Sequence, residues 1–357
     1  MCAVRIGIIG TGGSTGIAAA HLDGYRMAEA AQVTAVYDQN LEMAERWLAQ
    51  KEGTGICICR DFDEFLDQID GASICTPNFT HVDYVERLLR AGKHVFCEKP
   101  VGVSEDGLEG LEDAAKASSR IHMVNFNYRN IPALQKIHEM IAGGELGRIY
   151  VYRHTMGGGR LASEAVPREW RMKKKLSGSG SLGDFGSHIF DTFFYLLGEG
   201  AGEFQKLEGN GKICVKERIE GDRMEPVEND DCTVFQGFTD TGVLFSALTS
   251  RVGALGNQLE IIGELGIVRF SMENPLAVTY QPRRKGEGFT RKPEIILAAP
   301  GSDRWKAADH PEMLAASENA AAFVRCIAEN RQPETDILYG IKIQRIIDSV
   351  WNGMPVI

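Results

Sequence analysis

One segment of the sequence has the residue types and the spacing of acid–base chemistry. Residues 180–191 contain Asp184, His188 and Asp191, so on a helix the three side chains would share one face. An imidazole beside a carboxylate is suited to proton transfer near neutral pH. In the alternative interpretation, Asp184 caps the helix and His188 is a hydrogen-bonded core residue.

A lysine follows the fifth predicted strand, in the sequence Glu98-Lys99-Pro100. Parallel sheets bind ligands at the carboxyl ends of their strands, so Lys99 is predicted to point into a cleft. The residue before a proline is held extended, and the bond can be cis, which restricts the direction of the lysine. The alternative is an exposed lysine at the end of a strand.

A glycine-rich segment, residues 7–16, directly follows the first predicted strand and precedes a helix. Gly10 can form the tight turn, and Gly12 and Gly13 allow backbone N–H groups to approach a pyrophosphate at the helix N-terminus. The match to G-x-G-x-x-G is inexact, because Thr15 occupies the third glycine position and Gly16 follows it. The location between strand and helix predicts a dinucleotide site rather than a simple turn.

An acidic residue, Asp38, ends the second predicted strand. A carboxylate at this place accepts hydrogen bonds from the adenosine ribose and repels the 2′-phosphate of NADP. We therefore predict NAD as the cofactor, in preference to NADP. A second role for Asp38, as the N-cap of a helix that begins near Leu41, is compatible with the first.

Residues 1–122 alternate short β-branched strands with amphipathic helices. This pattern predicts a doubly wound parallel sheet of the Rossmann type, with right-handed crossovers. The clearest helices are predicted near Thr80–Ala91 and Ser104–Ala117. The strands are predicted at Val4–Ile9, Gln32–Tyr37, Ile56–Cys59, Gly71–Cys75, His94–Cys97 and Ile121–Val124.

The pattern changes in residues 123–357, where short glycine-bearing turns at 239–242 and 263–266 indicate hairpins. We therefore predict a second, α+β domain at 123–357 with an open, largely antiparallel sheet. Its helices are predicted near Ile131–Ala142, Glu312–Asn330 and Ile337–Trp351. Its strands are predicted at Arg148–Met156, Thr233–Phe238, Val243–Ser250, Gln258–Gly263, Ile267–Ser271 and Ala277–Tyr280.

Length and charge limit the function classes. A chain of 357 residues, 43% of them hydrophobic, is long enough for two domains that each bury a core. The formal net charge of −10 argues against nucleic acid and membrane surfaces as partners. The spacing of Cys57 and Cys59 does not match a CxxC motif, so we expect no metal. Scattered thiols and the lack of a long apolar segment predict a cytoplasmic protein without membrane spans.

Several segments together resemble the Gfo/Idh/MocA family of NAD(P)-dependent oxidoreductases. The most specific are Glu-Lys-Pro at residues 98–100 and Asp-x-Gly-x-His at residues 184–188. The resemblance covers nearly the whole chain and includes residues 74–81, 91–97, 127–132, 144–147 and 170–171. One departure is His21, which lies further from the glycines than in typical members and indicates a lengthened pyrophosphate loop.

The resemblance implies a role for each matching residue. Glu98 would contact the nicotinamide ribose, and Lys99 would contact both cofactor and substrate. The residues implied around the cofactor ribose and pyrophosphate are Thr76, Pro77, Asn78 and His81. The other residues implied around the substrate are Arg129, Trp170, Arg171, Asp184 and His188.

The resemblance also implies oxidation of a secondary hydroxyl of a sugar, glycoside or inositol-like cyclic polyol by hydride transfer to NAD. In this expectation His188 accepts the hydroxyl proton and Lys99 hydrogen-bonds the same oxygen, although the two can exchange roles. Asp184 would orient His188 or hold an adjacent hydroxyl. Two alternatives stay open: an NAD-dependent glycoside hydrolase that oxidises its sugar transiently, and a non-catalytic NAD-binding regulator. The family further implies a homo-oligomer, either a dimer or a tetramer.

Overall fold

The computed structural model describes residues 3–12, 16–51, 55–253, 255–284 and 292–356. The chain forms two compact units, one of Met1–Asn127 with Glu312–Arg345 and one of Tyr128–Pro311 with Ile346–Ile357. The division of the sequence into domains 1–122 and 123–357 stays a prediction. The contacts assign Glu312–Arg345 to the first unit, although this segment lies in the C-terminal part of the sequence.

The described residues form sixteen strands and ten α-helices. The strands are β1 (Val4–Ile9), β2 (Ala31–Tyr37), β3 (Cys57–Cys59), β4 (Gly71–Ile74), β5 (His94–Cys97), β6 (His122–Val124), β7 (Ile149–Gly157), β8 (Phe204–Lys212), β9 (Glu217–Glu220), β10 (Arg223–Pro226), β11 (Cys232–Thr239), β12 (Leu244–Ser250), β13 (Asn257–Gly263), β14 (Gly266–Ser271), β15 (Ala277–Pro282) and β16 (Glu294–Leu297). The helices are α1 (Ile17–Met27), α2 (Leu41–Gln50), α3 (Phe62–Asp67), α4 (His81–Arg90), α5 (Leu108–Ala117), α6 (Pro132–Ala142), α7 (Lys174–Ser177), α8 (Ser187–Leu197), α9 (Pro311–Glu329) and α10 (Ile337–Gly353).

A parallel sheet of six described strands forms the centre of the first unit, in the order β3-β2-β1-β4-β5-β6. The order reverses between β1 and β4, which is the doubly wound pattern that the sequence predicted. All six predicted strands are present, and their ends differ from the prediction by no more than one residue. The short apolar runs of these strands explain the agreement, because a parallel sheet is covered on both faces.

Helix α9 packs within the first unit and completes its core. Phe323 of α9 stacks on Phe96 of β5, with ring centroids 5.4 Å apart, and both belong to a buried cluster with Ile6 and Tyr25. Gly24 of α1 permits the close approach of the two helices, because a Cβ there would lie 2.1 Å from the carbonyl oxygen of Ser317. This packing explains why Glu312–Arg345 belongs to the first unit.

A sheet of eight described strands forms the second unit, in the order β16-β15-β14-β13-β7-β12-β11-β8. Only β7 and β12 pair in parallel; the other described neighbours are antiparallel, as predicted. The strands β8, β9, β10 and β16 were not predicted. β8, β9 and β10 are rich in charged residues or glycine and lack a long hydrophobic alternation. β16 is a run of only four residues, Glu294–Leu297.

Helix α8 is held on this sheet by a cluster of buried aromatic rings. Phe190 of α8 stacks on Phe245 of β12 with centroids 5.6 Å apart, and Phe193 meets the same ring edge-on at 5.3 Å. Tyr152 of β7 is the register partner of Phe245 on the neighbouring strand, with ring centroids 5.6 Å apart. Aromatic packing of this kind fixes the axis of α8, whose second residue is His188.

Gly24→Ala is expected to destabilise the protein. Alanine favours a helix over glycine by about 1 kcal/mol, but here the added Cβ would overlap the Ser317 carbonyl and force α1 and α9 apart. We expect the free energy of unfolding, measured with denaturant, to fall by about 1–3 kcal/mol. In the control Gly200→Ala, the added Cβ meets no atom within 4 Å, so the midpoint should not change. Equal midpoints for both variants would contradict this packing.

Candidate active site

The carboxyl ends of the strands in the first sheet bring the predicted cofactor residues to one edge. Gly10 follows β1, Asp38 follows β2, Thr76 comes after β4, and Lys99 comes after β5. These four strands are neighbours in the order β2-β1-β4-β5 and run in the same direction. Doubly wound sheets bind dinucleotides at this edge.

The turn after β1 is tightly packed around its two described glycines. Gly10 has a φ of +84°, and a Cβ there would lie 2.6 Å from Cγ2 of Thr76. At Gly12 a Cβ would lie 2.3 Å from Cε of Met43. Because neither glycine has a Cβ, a pyrophosphate can approach the backbone of this turn closely. The predicted contacts of Gly13 and Thr15 lie outside the described residues.

Asp38 is hydrogen-bonded to the same turn. Its Oδ2 accepts from the backbone N and from Oγ1 of Thr11, at 2.7 and 2.9 Å. Helix α2 is capped by Asn40, whose side chain accepts from N of Met43 at 3.2 Å. The interpretation of Asp38 as the N-cap is therefore wrong. The Asp38 carboxylate puts a negative charge at the end of β2, where it disfavours a 2′-phosphate.

The segment Thr76–Thr80 forms a turn that His81 ties to the end of β5. The His81 ring is fully buried, with Nε2 2.9 Å from the carbonyl oxygen of Thr76 and Nδ1 2.7 Å from that of Pro100. Burial lowers the pKa of His81, although the two carbonyl contacts act in the opposite direction. His81 thus positions two turns at the cofactor edge. Direct cofactor contacts of Thr76, Pro77, Asn78 and His81 stay a prediction.

Glu98, the residue before Lys99, is a buried carboxylate at the centre of a hydrogen-bond network. Its Oε1 lies 2.9 Å from Nε2 of His21 and accepts from Nδ2 of Asn125 at 2.5 Å. Asn319 of α9 donates to Oδ1 of Asn125 at 2.9 Å. Burial raises the pKa of Glu98, but the His21 and Asn125 contacts and the charge of Lys99 outweigh this effect, so the pKa is lowered.

The network fixes the backbone at Glu98 and therefore the start of the Lys99 side chain. Lys99 is half-buried, and its peptide bond to Pro100 is cis. The other ring nitrogen of His21, Nδ1, lies 3.1 Å from Oγ of Ser73. In the sequence, His21 stood out only by its unusual distance from the glycines. The contact between His21 and Glu98 could not be predicted from it. The predicted contact of Glu98 with the nicotinamide ribose stays a prediction.

In the second unit, Asp184 and His188 lie where α8 begins. A π-helical turn, Leu182–Gly186, contains Asp184 and continues into α8 at Ser187. The i→i+5 pattern of a π-turn interrupts the regular helical repeat. Regular helical spacing was predicted for residues 184–191, but the α-helix begins only at Ser187. His188 and Asp191 therefore have this spacing on α8, and Asp184 lies in the π-turn before it.

Tyr128 and Arg129 contact the first turn of α8. The buried ring of His188 stacks on Tyr128, with centroids 4.3 Å apart and planes inclined by 11°. Arg129 donates to Oδ1 of the buried Asp191, from Nη2 at 2.7 Å and from Nε at 3.0 Å. The family resemblance implied that Arg129 contacts the substrate. In the structure its guanidinium forms an ion pair with Asp191, and the substrate contact stays a prediction. Nothing in the local sequence pattern singled out Tyr128.

Trp170 and Arg171 lie in a short 3₁₀ turn, Trp170–Met172. The Arg171 guanidinium lies over the Trp170 ring, 4.3 Å from its centroid, and Nη1 is 3.5 Å from Oε1 of Glu169. Both residues are half-buried. An aromatic face next to a cation is suited to the C–H side and the hydroxyls of a sugar ring, so the predicted substrate role is chemically reasonable.

Sequence reasoning missed the residues that hold these segments. Asn229 and Asp230 are fully buried and hydrogen-bond to residues between Arg171 and Leu182. The next residue, Asp231, is equally buried, but its carboxylate accepts from N of Cys214 in a different turn. Consecutive polar residues before a strand usually indicate an exposed turn. The sequence therefore carried no signal for their burial.

Among the described residues, Cys57, Cys59 and Glu64 form a group whose ligand atoms lie within 4.8 Å of one another. Burial raises the pKa of Cys59 to about 12, which favours a protonated thiol, and Glu64 accepts from N of Arg60. The expectation of no metal stays a prediction, as do the cytoplasmic location and the homo-oligomer.

No helix in the described part of the chain is long and apolar enough to cross a membrane.

Asp38→Ala is expected to weaken NADH binding about tenfold, because the ribose loses a charged acceptor. It should also reduce the preference for NADH over NADPH, since the charge that repels the 2′-phosphate is removed. Fluorescence titrations of the two cofactors measure both effects. The control Asp61→Ala removes the carboxylate that caps α3 and leaves Asp38 in place. A wild-type protein that binds both cofactors equally would contradict the assignment.

His21→Leu is expected to destabilise the protein through Glu98, by about 1.5–3 kcal/mol at neutral pH. Because the folded-state pKa of Glu98 is lowered from 4.5, this stabilisation is complete above pH 4.5 and is lost as the pH falls through the lowered pKa. The difference between variant and wild type should therefore shrink in acid. A double-mutant cycle with Glu98→Gln isolates the pair, and additive effects would show that the contact contributes nothing.

Known proteins resemble this chain in both sequence and fold. Levoglucosan dehydrogenase from Pseudarthrobacter phenanthrenivorans is 39% identical over 141 residues, which are 39% of this chain and 36% of that protein. Inositol 2-dehydrogenase from Rhizobium meliloti is 27% identical over 348 residues, 92% of this chain and 98% of that protein. The solved structure of levoglucosan dehydrogenase with NADH and levoglucosan has a TM-score of 0.87 and 25% identity, and the match covers 98% of this chain and 96% of that one.

Two family models match successive parts of the chain. Residues 4–126 match the oxidoreductase family model with an NAD-binding Rossmann fold, GFO_IDH_MocA. Residues 134–269 match the model of the GFO/IDH/MocA C-terminal domain. The first match contains the parallel sheet and its glycine turn, and the second contains Asp184 and His188. The chain therefore belongs to the Gfo/Idh/MocA family and is an NAD-dependent dehydrogenase.

Proposed function

We propose that the protein oxidises a secondary hydroxyl of a sugar, glycoside or cyclic polyol to a ketone. The observation that carries the proposal is the buried imidazole of His188, held flat on Tyr128 beside the Arg129–Asp191 ion pair. Removal of hydride from a carbinol carbon leaves a hydroxyl proton that needs a base, and imidazole is suited to this near neutral pH. The relatives are dehydrogenases of levoglucosan and of inositol, which supports a polyhydroxylated ring as substrate.

Each predicted side chain has a distinct part in the proposed reaction. His188 accepts the hydroxyl proton, and Lys99 donates a hydrogen bond to the same oxygen while negative charge develops there. Asp184 orients His188 or holds an adjacent hydroxyl of the substrate. Trp170 offers an aromatic face to the C–H side of the ring. NAD, when bound, supplies the hydride acceptor, and the turn with Gly10, Gly12 and Asp38 has the shape and charge to hold it.

The first experiment follows NADH absorbance with NAD and a panel of inositols, aldoses, sugar acids, glycosides and levoglucosan. The proposal predicts NADH formation that depends on at least one of these substrates. Cleavage of a glycoside without net NADH would instead support the NAD-dependent glycoside hydrolase. NADH binding without turnover or cleavage would support the non-catalytic regulator.

His188→Ala and Lys99→Met are each expected to lower kcat/KM at least about 100-fold, the contribution of a positioned acid–base group. Both variants should still bind NADH. The matched controls are His138→Ala and Lys93→Met. His138 also stacks on a tyrosine, Tyr195, with centroids 4.6 Å apart, and Lys93 donates to the carbonyl of Ile69. Both controls should turn over substrate at nearly the wild-type rate.

The pH dependence of kcat/KM identifies the base. If His188 accepts the proton, the rate falls in acid, because the protonated imidazole has no lone pair to offer. This acid limb should persist in Lys99→Met and disappear from the residual activity of His188→Ala. The reverse pattern would make Lys99 the base, and near-normal rates in both variants would remove them from the chemistry.

A further inference from the structure

Three consecutive polar residues, Asn229, Asp230 and Asp231, precede β11 and have 0% exposure. Burying one carboxylate costs free energy unless its oxygens accept hydrogen bonds, and burying two adjacent ones costs more. Each of the three therefore needs donors or acceptors from the surrounding protein. Asp230 and Asp231 have different hydrogen-bond partners, so they stabilise different parts of the chain.

Asp230 binds the segment that leads into α8. Its Oδ1 accepts from N of Gly180 at 2.6 Å, and its Oδ2 accepts from Oγ of Ser181 at 2.7 Å and from N of Leu182 at 2.9 Å. The backbone carbonyl of Asp230 also accepts from N of Ser181 at 2.9 Å. Thr233 donates a further bond to Oδ2 at 2.7 Å. Four hydrogen bonds thus connect one residue to the three positions 180–182.

Asp231 binds a different part of the chain. Its Oδ1 accepts from Nε of Arg251 at 2.8 Å. Its Oδ2 accepts from N of Cys214 at 2.8 Å and from N of Val215 at 2.9 Å. Asp231 is as buried as its neighbour, but these side-chain bonds go to residues outside 180–182. It therefore provides a chemically matched control.

The hydrogen bonds of Asp230 act at the entry of the π-turn that contains Asp184. A Cβ at Gly180 would lie 1.9 Å from the carbonyl oxygen of Asp230, so the two backbones are in direct contact. N of Asp184 donates to the carbonyl of Gly180 at 3.1 Å, which links the bound segment to the π-turn. The turn ends at Gly186, and His188 follows as the second residue of α8.

We propose that Asp230 is a positioning residue for His188: its carboxylate fixes residues 180–182 and so sets the π-turn and the first turn of α8. The proposal rests on the proposed function, in which His188 accepts the proton. A displacement of about 1 Å in a reacting group can cost about 100-fold in rate. Loss of these bonds therefore lowers kcat, while the NAD-binding residues of the first unit are not involved.

An amide cannot replace this carboxylate. In Asp230→Asn, the Nδ2 group takes the place of either Oδ1 or Oδ2. In the first case it faces N–H of Gly180, and in the second it faces N–H of Leu182. Two donors then oppose each other, and one backbone N–H loses its acceptor. The hydroxyl of Ser181 can reverse its hydrogen bond, whereas the backbone groups cannot.

The test compares Asp230→Asn with Asp231→Asn in the full-length protein. Asp230→Asn is expected to lower kcat about 100-fold at saturating substrate, with NADH dissociation constants within about twofold of wild type. Asp231→Asn should keep kcat near wild type, even if its melting temperature falls as much as that of Asp230→Asn. If kcat falls in proportion to the loss of stability, and to the same extent in both variants, the proposal is overturned. Such a result would show that Asp230 has a structural role only.

A second measurement does not depend on turnover. In protein isotope-labelled at histidine Cε1, His188 is identified among the eight histidines as the signal missing from His188→Ala. Asp230→Asn should shift this signal and its pH titration, Ser181→Ala should shift them less, and Asp231→Asn should leave them unchanged. An unchanged His188 signal in Asp230→Asn would overturn the proposal. If no substrate turns over but the signal shifts as expected, the proposed function fails and the positioning role is supported.

Discussion

A carboxylate can be buried only when hydrogen-bond donors surround it, and this constraint organises both units of the protein. In the first unit Glu98 is satisfied by His21 and Asn125. In the second unit Asp230 is satisfied by Gly180, Ser181, Leu182 and Thr233. A backbone segment bound to such a carboxylate cannot move without leaving several polar groups unpaired. Each carboxylate therefore fixes a short segment that lies close in the chain to a predicted catalytic side chain.

The donors come from distant parts of the sequence, so the position of each segment depends on the tertiary fold. Glu98 is held by His21 of α1 and by Asn125, which is itself bound by Asn319 of α9. This is a second reason, besides the packing of Phe323 on Phe96, why α9 returns to the first unit. Asp230 links the start of β11 to the start of the π-turn that leads into α8 in the same way.

Local patterns were enough to predict much of the fold and the cofactor edge. The parallel strands have short apolar runs, and Gly10 and Asp38 each follow such a run, so their positions could be read from the sequence. The sequence did not show which of two nearby polar residues, Asp38 or Asn40, caps α2. In the structure the N-cap is Asn40. The charged strands β9 and β10 and the glycine-bearing strand β8 have no hydrophobic alternation and were missed.

The supporting residues were beyond prediction for a different reason. Asn229, Asp230 and Asp231 have the composition of an exposed turn, and their burial depends on partners that are distant in the chain. The backbone donors to the Asp230 carboxylate, for example, lie about 50 residues earlier, at 180 and 182. The π-turn at Leu182–Gly186 was also not visible, because helical spacing alone fits residues 184–191. A linear pattern records which residues can share a helix face. It does not record which buried group a loop is bound to.

In the reaction that we propose, the protein transfers hydride from a ring carbinol to NAD, with proton transfer by the residues described. A substrate from the panel that carries deuterium on the oxidised carbinol carbon tests this reaction. We expect a ketone product and reduced nicotinamide that carries the deuterium, with a slower rate than for the unlabelled substrate. Deuterium found in water, or a cleaved glycoside with no labelled NADH, would contradict it.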